Sequence, residues 1–172
     1  MQSPLGGDQG QSFKRGLLIH KLLELLPDLP EKARRAAAER YLAQLVHALE
    51  PDQQVEIANE TLGIFDNPEF APVFAPGSRG EVPLVGIVGG DVVSAQIDRL
   101  VVRDDEVMIV DYKTNRPPPR DVEDTPRAYR RQMSIYRAAL AQMYPGKKVR
   151  CFILWTNGPW MSELPDHILT FG

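Results

Sequence analysis

An aspartate and a lysine stand one residue apart at the polar end of an apolar run, Met108-Ile109-Val110-Asp111-Tyr112-Lys113. In a strand, residues two apart share a face, so Asp111 and Lys113 lie on one side and Met108, Val110 and Tyr112 on the other. A carboxylate beside an ammonium suits hydrolysis: the carboxylate can hold a divalent cation while the lysine orients a water. Taken alone, such a triplet is weak evidence, because most of them decorate a solvated strand. Two further acids strengthen it.

The run Val92 to Val102 is rich in β-branched residues, and Arg103-Asp104-Asp105-Glu106 is polar punctuation, which together predict a hairpin. With Asp104 and Asp105 at the tip, Asp98 falls opposite Asp111. Gly89-Gly90 is a strong signal for a second two-residue turn, since both central positions of a primed turn take positive φ. That turn sets Glu81 opposite Asp98. Glu81, Asp98 and Asp111 then form one row across three antiparallel strands about 4.8 Å apart. Facing carboxylates repel, and a hard cation with oxygen ligands relieves the repulsion. One extra residue in either turn would instead send one acid to the opposite face and leave ordinary surface charge.

The elements that would position this row follow from the pattern. Helical spacing runs over Phe13 to Leu26, with Leu18, Leu22 and Leu25 on one stripe and Gly16 and His20 one turn apart on the next. A second helix is expected over Pro30 to Leu49, burying Tyr41, Leu42, Leu45 and Val46, and a third from Pro51 through Phe65. A proline-punctuated connector leads into strands at 79–88, 91–102 and 106–113. Residues 115–125 read as a loop carrying Arg116 and Arg120, and a helix from Pro126 to Met143 places Gln132 and Tyr136 on one face. That pair could hold a phosphate, or simply pack a polar-tipped helix on the sheet. Strands at Lys148 to Trp155 and Gly158 to Leu164 finish the chain.

Composition bounds the rest. The 172 residues suit a single domain over 13–172, preceded by a Gly-, Gln- and Ser-rich stretch, 1–12, expected as a flexible lead-in. No run is apolar enough to predict a membrane span and no signal pattern opens the chain, so a cytoplasmic protein is expected. The one cysteine, Cys151, excludes an intrachain disulfide and an all-cysteine cluster. The net charge of −3 hides an asymmetry: Lys113 to Arg150 holds ten basic residues and three acids, a local +7 that leaves −10 elsewhere. A basic stretch beside an acidic row fits an enzyme that must attract phosphates and hold metal, although a solvated helix surface gives the same count.

Five short segments in order complete a resemblance: Arg15-Gly16-Leu17-Leu18-Ile19-His20, Glu81-Val82-Pro83, Gln96-Ile97-Asp98-Arg99-Leu100, Val110-Asp111-Tyr112-Lys113-Thr114 and Gln132-Met133-Ser134-Ile135-Tyr136. The chain resembles the RecB-like nuclease branch of the PD-(D/E)XK superfamily, and within it the C-terminal nuclease domain of AddA-type helicase-nuclease subunits. Ala95, where that branch often has glycine, is a mild departure.

The resemblance implies an α/β fold of the restriction-endonuclease-like kind: a central mixed sheet with an antiparallel three-strand meander, flanked by helices. It implies Mg²⁺ or Mn²⁺ held by His20, Asp98, Asp111 and the main-chain carbonyl of Tyr112. Glu81 would belong to the acidic site and Lys113 would be catalytic. Gln132, Tyr136, Arg116 and Arg131 would support the site or contact DNA. The implied function is metal-dependent exonuclease cleavage of DNA in double-strand break repair. The partners would be single strands fed by a helicase region N-terminal in the natural polypeptide, and an AddB-like second subunit. There is no Gly-x-x-x-x-Gly-Lys-Ser/Thr loop for ATP, and one cysteine cannot hold an iron-sulfur cluster. A non-cleaving DNA-binding or subunit-docking module is the competing class, and a cation-stabilised domain without nucleic acid is a third.

Overall fold

A computed structural model describes residues 4–169. Two compact units divide the chain, Met1–Glu69 and Phe70–Gly172.

The first unit is helical: α1 (Pro4–Leu25), α2 (Glu31–Leu42) and α3 (Pro51–Phe65). Leu18, Ile19, Leu22 and Leu23 of α1, Ala38 and Leu42 of α2, and Ile57, Ala58, Leu62 and Ile64 of α3 are buried. They recur at three- and four-residue spacing, as an amphipathic helix requires. A partly buried ion pair, Arg15 to Glu60 at 2.8 Å, ties α1 to α3. Glu50 and Gln53 close a capping box at the start of α3, where Pro51 takes the first-turn position that needs no N–H.

Two expectations are corrected here. Residues 4–12 are the first turns of α1 rather than a flexible lead-in, while 1–3 lie outside the described residues. Pro4 is tolerated in a first turn, and no second proline interrupts propagation back from Phe13. The second helix stops at Leu42 instead of Leu49; a short 3₁₀ turn, Leu45–His47, follows, and Ala48 takes a left-handed φ of 44°. The break takes Leu45 and Val46 off the helical face, leaving them 96% and 79% exposed.

The second unit is a five-stranded sheet in the order β1-β2-β3-β4-β5, formed by Arg79–Val88, Asp91–Val102, Glu106–Lys113, Lys148–Trp155 and Trp160–Glu163. The first three strands are an antiparallel meander and β3 pairs parallel with β4, so the sheet is mixed. The parallel pair needs a long crossover, supplied by α4 (Arg127–Met143). One face packs Met133, Tyr136, Ala139 and Leu140 of α4 over Leu84, Ile97, Leu100, Ile109, Cys151, Ile153 and Trp155. Gly89 and Gly90 take φ of 61° and 91°, the signature of the primed turn. Among the described residues, no helix is long and apolar enough to cross a membrane.

Candidate active site

Both hairpin registers fall as the turn residues dictate. Val102 pairs with Val107 and Arg99 with Val110, leaving Asp104 and Asp105 at the tip. On the other side Val88 pairs with Asp91 and Val82 with Ile97. Beyond Glu81 the same pairing resumes, Gly80 with Arg99 and Arg79 with Leu100, so no residue has been inserted.

What changes at the Glu81 and Asp98 level is the face. Gly86 and Ile97 look towards α4, where a Cβ on Gly86 would lie 3.6 Å from that of Ala139. By strict alternation Gly80 and Arg99 should do the same. Instead Gly80 abuts the Arg99 guanidinium, which bonds the Tyr112 phenol on the opposite face. Leu100, three residues after Ile97, returns to the α4 side. The sheet therefore turns over at one pair of residues, and Glu81 absorbs the twist with a left-handed φ of 51°. A non-glycine residue in that region is strained, and such strain concentrates at functional positions. The expected row of three acids on a single regular face is corrected accordingly: the register holds, but two of the three sit at a dislocation.

The dislocation also ends the β2–β3 ladder. Past Arg99 and Val110, the Asp98 carboxylate takes over and accepts the Tyr112 N–H at 2.7 Å. Asp98 and Glu81 are half-buried, and a carboxylate oxygen of one lies within 4.8 Å of one from the other. Two anions so close favour a cation between them, and all-oxygen donors suit a hard ion such as Mg²⁺ or Mn²⁺.

Asp111 is 4% exposed and faces α4 with Lys113. The Lys113 ammonium lies 2.6 Å from Asp111 Oδ2, donates to Gln132 Oε1 at 3.2 Å, and sits 4.2 Å from the centre of the Tyr129 ring. Gln132 Nε2 in turn donates to the Tyr136 hydroxyl at 2.9 Å. The chain Asp111, Lys113, Gln132, Tyr136 thus fixes the ammonium from two elements. Tyr136 packs the helix on the sheet, the plainer of the two readings of this pair, and Gln132 grips Lys113. Burial raises the Tyr136 hydroxyl above its ordinary value, against the lowering effect of the Gln132 hydrogen bond, and the charges of Asp111 and Asp98 raise it further.

The remaining expected residues stand on other elements. His20 lies half-buried on α1, in the first unit. Arg116 and Arg131 are exposed. Arg131 lines an open groove with Arg127, Gln132, Ile135 and Tyr136 of α4, facing Val92 to Ala95 of β2.

The sequence reading missed two residues. Tyr129 carries the Lys113 ammonium over its ring, and its hydroxyl donates to Asn115 Oδ1 at 3.1 Å. Arg99 is only 3% exposed, and arginine is almost never fully buried without partners.

Comparison with known proteins adds the following. No curated protein matches the chain significantly. Among solved structures, one titled "Crystal structure of SSO0001" is 17% identical over 88% of this chain and 70% of its own, with a TM-score of 0.39. The model of the PD-(D/E)XK nuclease superfamily matches residues 3–159. With a mixed sheet, a meander and a crossover helix in place, the chain belongs to the PD-(D/E)XK nuclease superfamily.

Proposed function

We propose that the chain is a divalent-metal-dependent DNA exonuclease domain, the nuclease part of an ATP-dependent helicase-nuclease of double-strand break repair. The observation that carries this reading is the Asp111–Lys113 pair at 2.6 Å, with the close carboxylates of Asp98 and Glu81 on the next two strands. Superfamily membership supports the chemistry, and the likeness to AddA-type domains suggests the setting.

Glu81, Asp98 and Asp111 would hold Mg²⁺ or Mn²⁺, with His20 and the Tyr112 carbonyl completing the set as the resemblance implies. Such an ion, when bound, supplies Lewis acidity to the scissile phosphate. The chain's own residues do the remaining work. Lys113, held by Gln132 and stacked on Tyr129, positions the attacking water by donating a hydrogen bond to it. Tyr136 steadies Gln132 from below. Arg116, Arg127 and Arg131 draw the phosphate backbone towards the acids. The natural partners would be single strands delivered by a helicase region of the same polypeptide, and an AddB-like subunit.

The test is degradation of end-labelled linear single-stranded DNA with Mg²⁺ or Mn²⁺. Wild-type cleavage, lost in Asp111→Asn and Lys113→Ala with DNA binding retained, is the expected result. Salt-sensitive DNA binding without cleavage at any metal concentration would favour the binding-module reading.

A further inference from the structure

Arg99 and the Tyr112 phenol play no part in the chemistry just described, yet they sit directly behind it. Arg99 follows Asp98 in the chain. Its Nε donates to the Tyr112 hydroxyl at 3.2 Å, and its Nη1 lies 3.5 Å from Ser78 Oγ. Its guanidinium lies 5.3 Å from the centre of the Phe74 ring, and that ring stacks on Tyr112 at 6.4 Å. Room for the group comes from Gly80: a Cβ there would lie 3.2 Å from Arg99 Nη2.

Tyr112 is consequently held at both ends by adjacent residues of β2. Its N–H donates to Asp98 at 2.7 Å, and its hydroxyl accepts from Arg99. This closed loop spans the two strands at the point where their backbone ladder has stopped. Without it, nothing regular in the β2–β3 pairing would fix the angle at which Asp98 meets β3.

We propose that Arg99 and the Tyr112 hydroxyl form a positioning pair that aims Asp98 and the Tyr112 carbonyl as metal ligands. The inference rests on the metal reading of the site. It differs from plain structural support in what it requires of metal affinity. Groups that hold ligands in place typically cost about 10–100-fold in metal affinity when removed, whereas a structural pair costs stability alone.

Charge-conserving variants separate the two. Tyr112→Phe keeps the ring against Phe74 and removes only the hydroxyl, and Arg99→Lys keeps the charge and removes the planar fork. Binding of Mn²⁺ is measured directly by calorimetry and by the electron paramagnetic resonance of free Mn²⁺, beside DNA cleavage and thermal unfolding. The expected result for Tyr112→Phe is a folded protein with Mn²⁺ affinity weakened about tenfold or more. Wild-type Mn²⁺ affinity in folded Tyr112→Phe overturns the proposal, whatever Arg99→Lys does. A wild-type chain that binds Mn²⁺ without cutting DNA sinks the nuclease reading while the binding comparison still decides this one. A wild-type chain that binds no Mn²⁺ overturns both.

Discussion

The Asp98 carboxylate accepts the Tyr112 main-chain N–H at 2.7 Å, where Asp98 lies one residue and Tyr112 two residues past the last β2–β3 pair, Arg99 and Val110. A side chain has replaced a backbone carbonyl in the ladder. One oxygen is committed to the fold, and the carboxylate still bears the charge that a metal needs.

Asp98→Asn and Asp98→Ala should separate those two duties. The asparagine carbonyl can keep the Tyr112 bond, so stability should fall by less than about 1 kcal/mol while cleavage is lost. Alanine leaves a half-buried N–H without that acceptor, which costs about 1–3 kcal/mol. Urea midpoints read beside cleavage rates check this. Equal stability in the two variants would mean that the hydrogen bond contributes nothing.

At Glu81 the prediction concerns strain. Its φ of 51° costs a non-glycine residue about 1–2 kcal/mol, which glycine avoids at an entropic cost of about 0.5–1 kcal/mol. Glu81→Gly should therefore fold at least as stably as wild type and fail to cut. Glu81→Val, stiff at χ1, should lose about 1–2 kcal/mol. A Glu81→Gly variant much less stable than wild type would show that the carboxylate supports the fold.

Lys113→Met removes the ammonium lying 2.6 Å from the nearly buried Asp111. Lys113 is partly solvated, so the loss should be about 1–3 kcal/mol, below the figure for a fully buried pair. Cleavage should fall by about 100-fold or more, in line with removal of a group that steers proton transfer. Because Asp111 then lacks that neighbour, added Mg²⁺ should raise the unfolding temperature more than in wild type. An unchanged metal-induced shift would argue against a metal beside Asp111.

Glu163 and Cys151 make stability depend on pH in opposite directions. Glu163 accepts Arg150 Nε at 2.8 Å and Nη2 at 2.7 Å, and these hydrogen bonds hold its carboxyl below the ordinary 4.5. The native state then binds its proton less tightly than the unfolded chain. Its contribution is present above pH 4.5 and is lost as the pH falls through the folded value. Cys151, in the sheet core, has its thiol pushed up by burial from 9.0 to about 12. The native state keeps the proton that the unfolded chain gives up, so stability declines as pH rises from 9.0 towards 12. Urea midpoints measured across pH should show both limbs. Glu163→Gln should flatten the acid limb and Cys151→Ala the alkaline one; a limb that survives its substitution belongs to another group.

Much of this was legible in local signals. Gly89-Gly90 and Asp104-Asp105 fixed two turns, and β-branched runs fixed the strands between them, so the cross-strand numbering of Glu81, Asp98 and Asp111 followed. Alternation failed at Glu81 because a left-handed non-glycine residue leaves no mark in composition. The burial of Arg99 was hidden because its cradle is assembled from Phe74, Ser78, Gly80 and Tyr112, which no periodic pattern links. The end of α2 was misplaced because apolar Leu45 and Val46 continue a helical pattern that the backbone abandons. Placement of His20 as a ligand rests on family likeness, with no local signal beyond Gly16 one turn before it.

The meander and the crossover differ in how far apart in sequence their partners lie. Glu81, Asp98 and Asp111 are gathered by two tight turns, whereas Lys113 receives Gln132 only after 19 residues, and β4 reaches β3 only after α4 has been traversed. Contacts close in sequence require less loop closure and form sooner. A growing or refolding chain would accordingly collect its negative charge first and discipline its lysine last. Order of assembly thereby keeps an incomplete chain from being a competent one: the acids can be in register while the group that steers the water still lacks Gln132 and Tyr129.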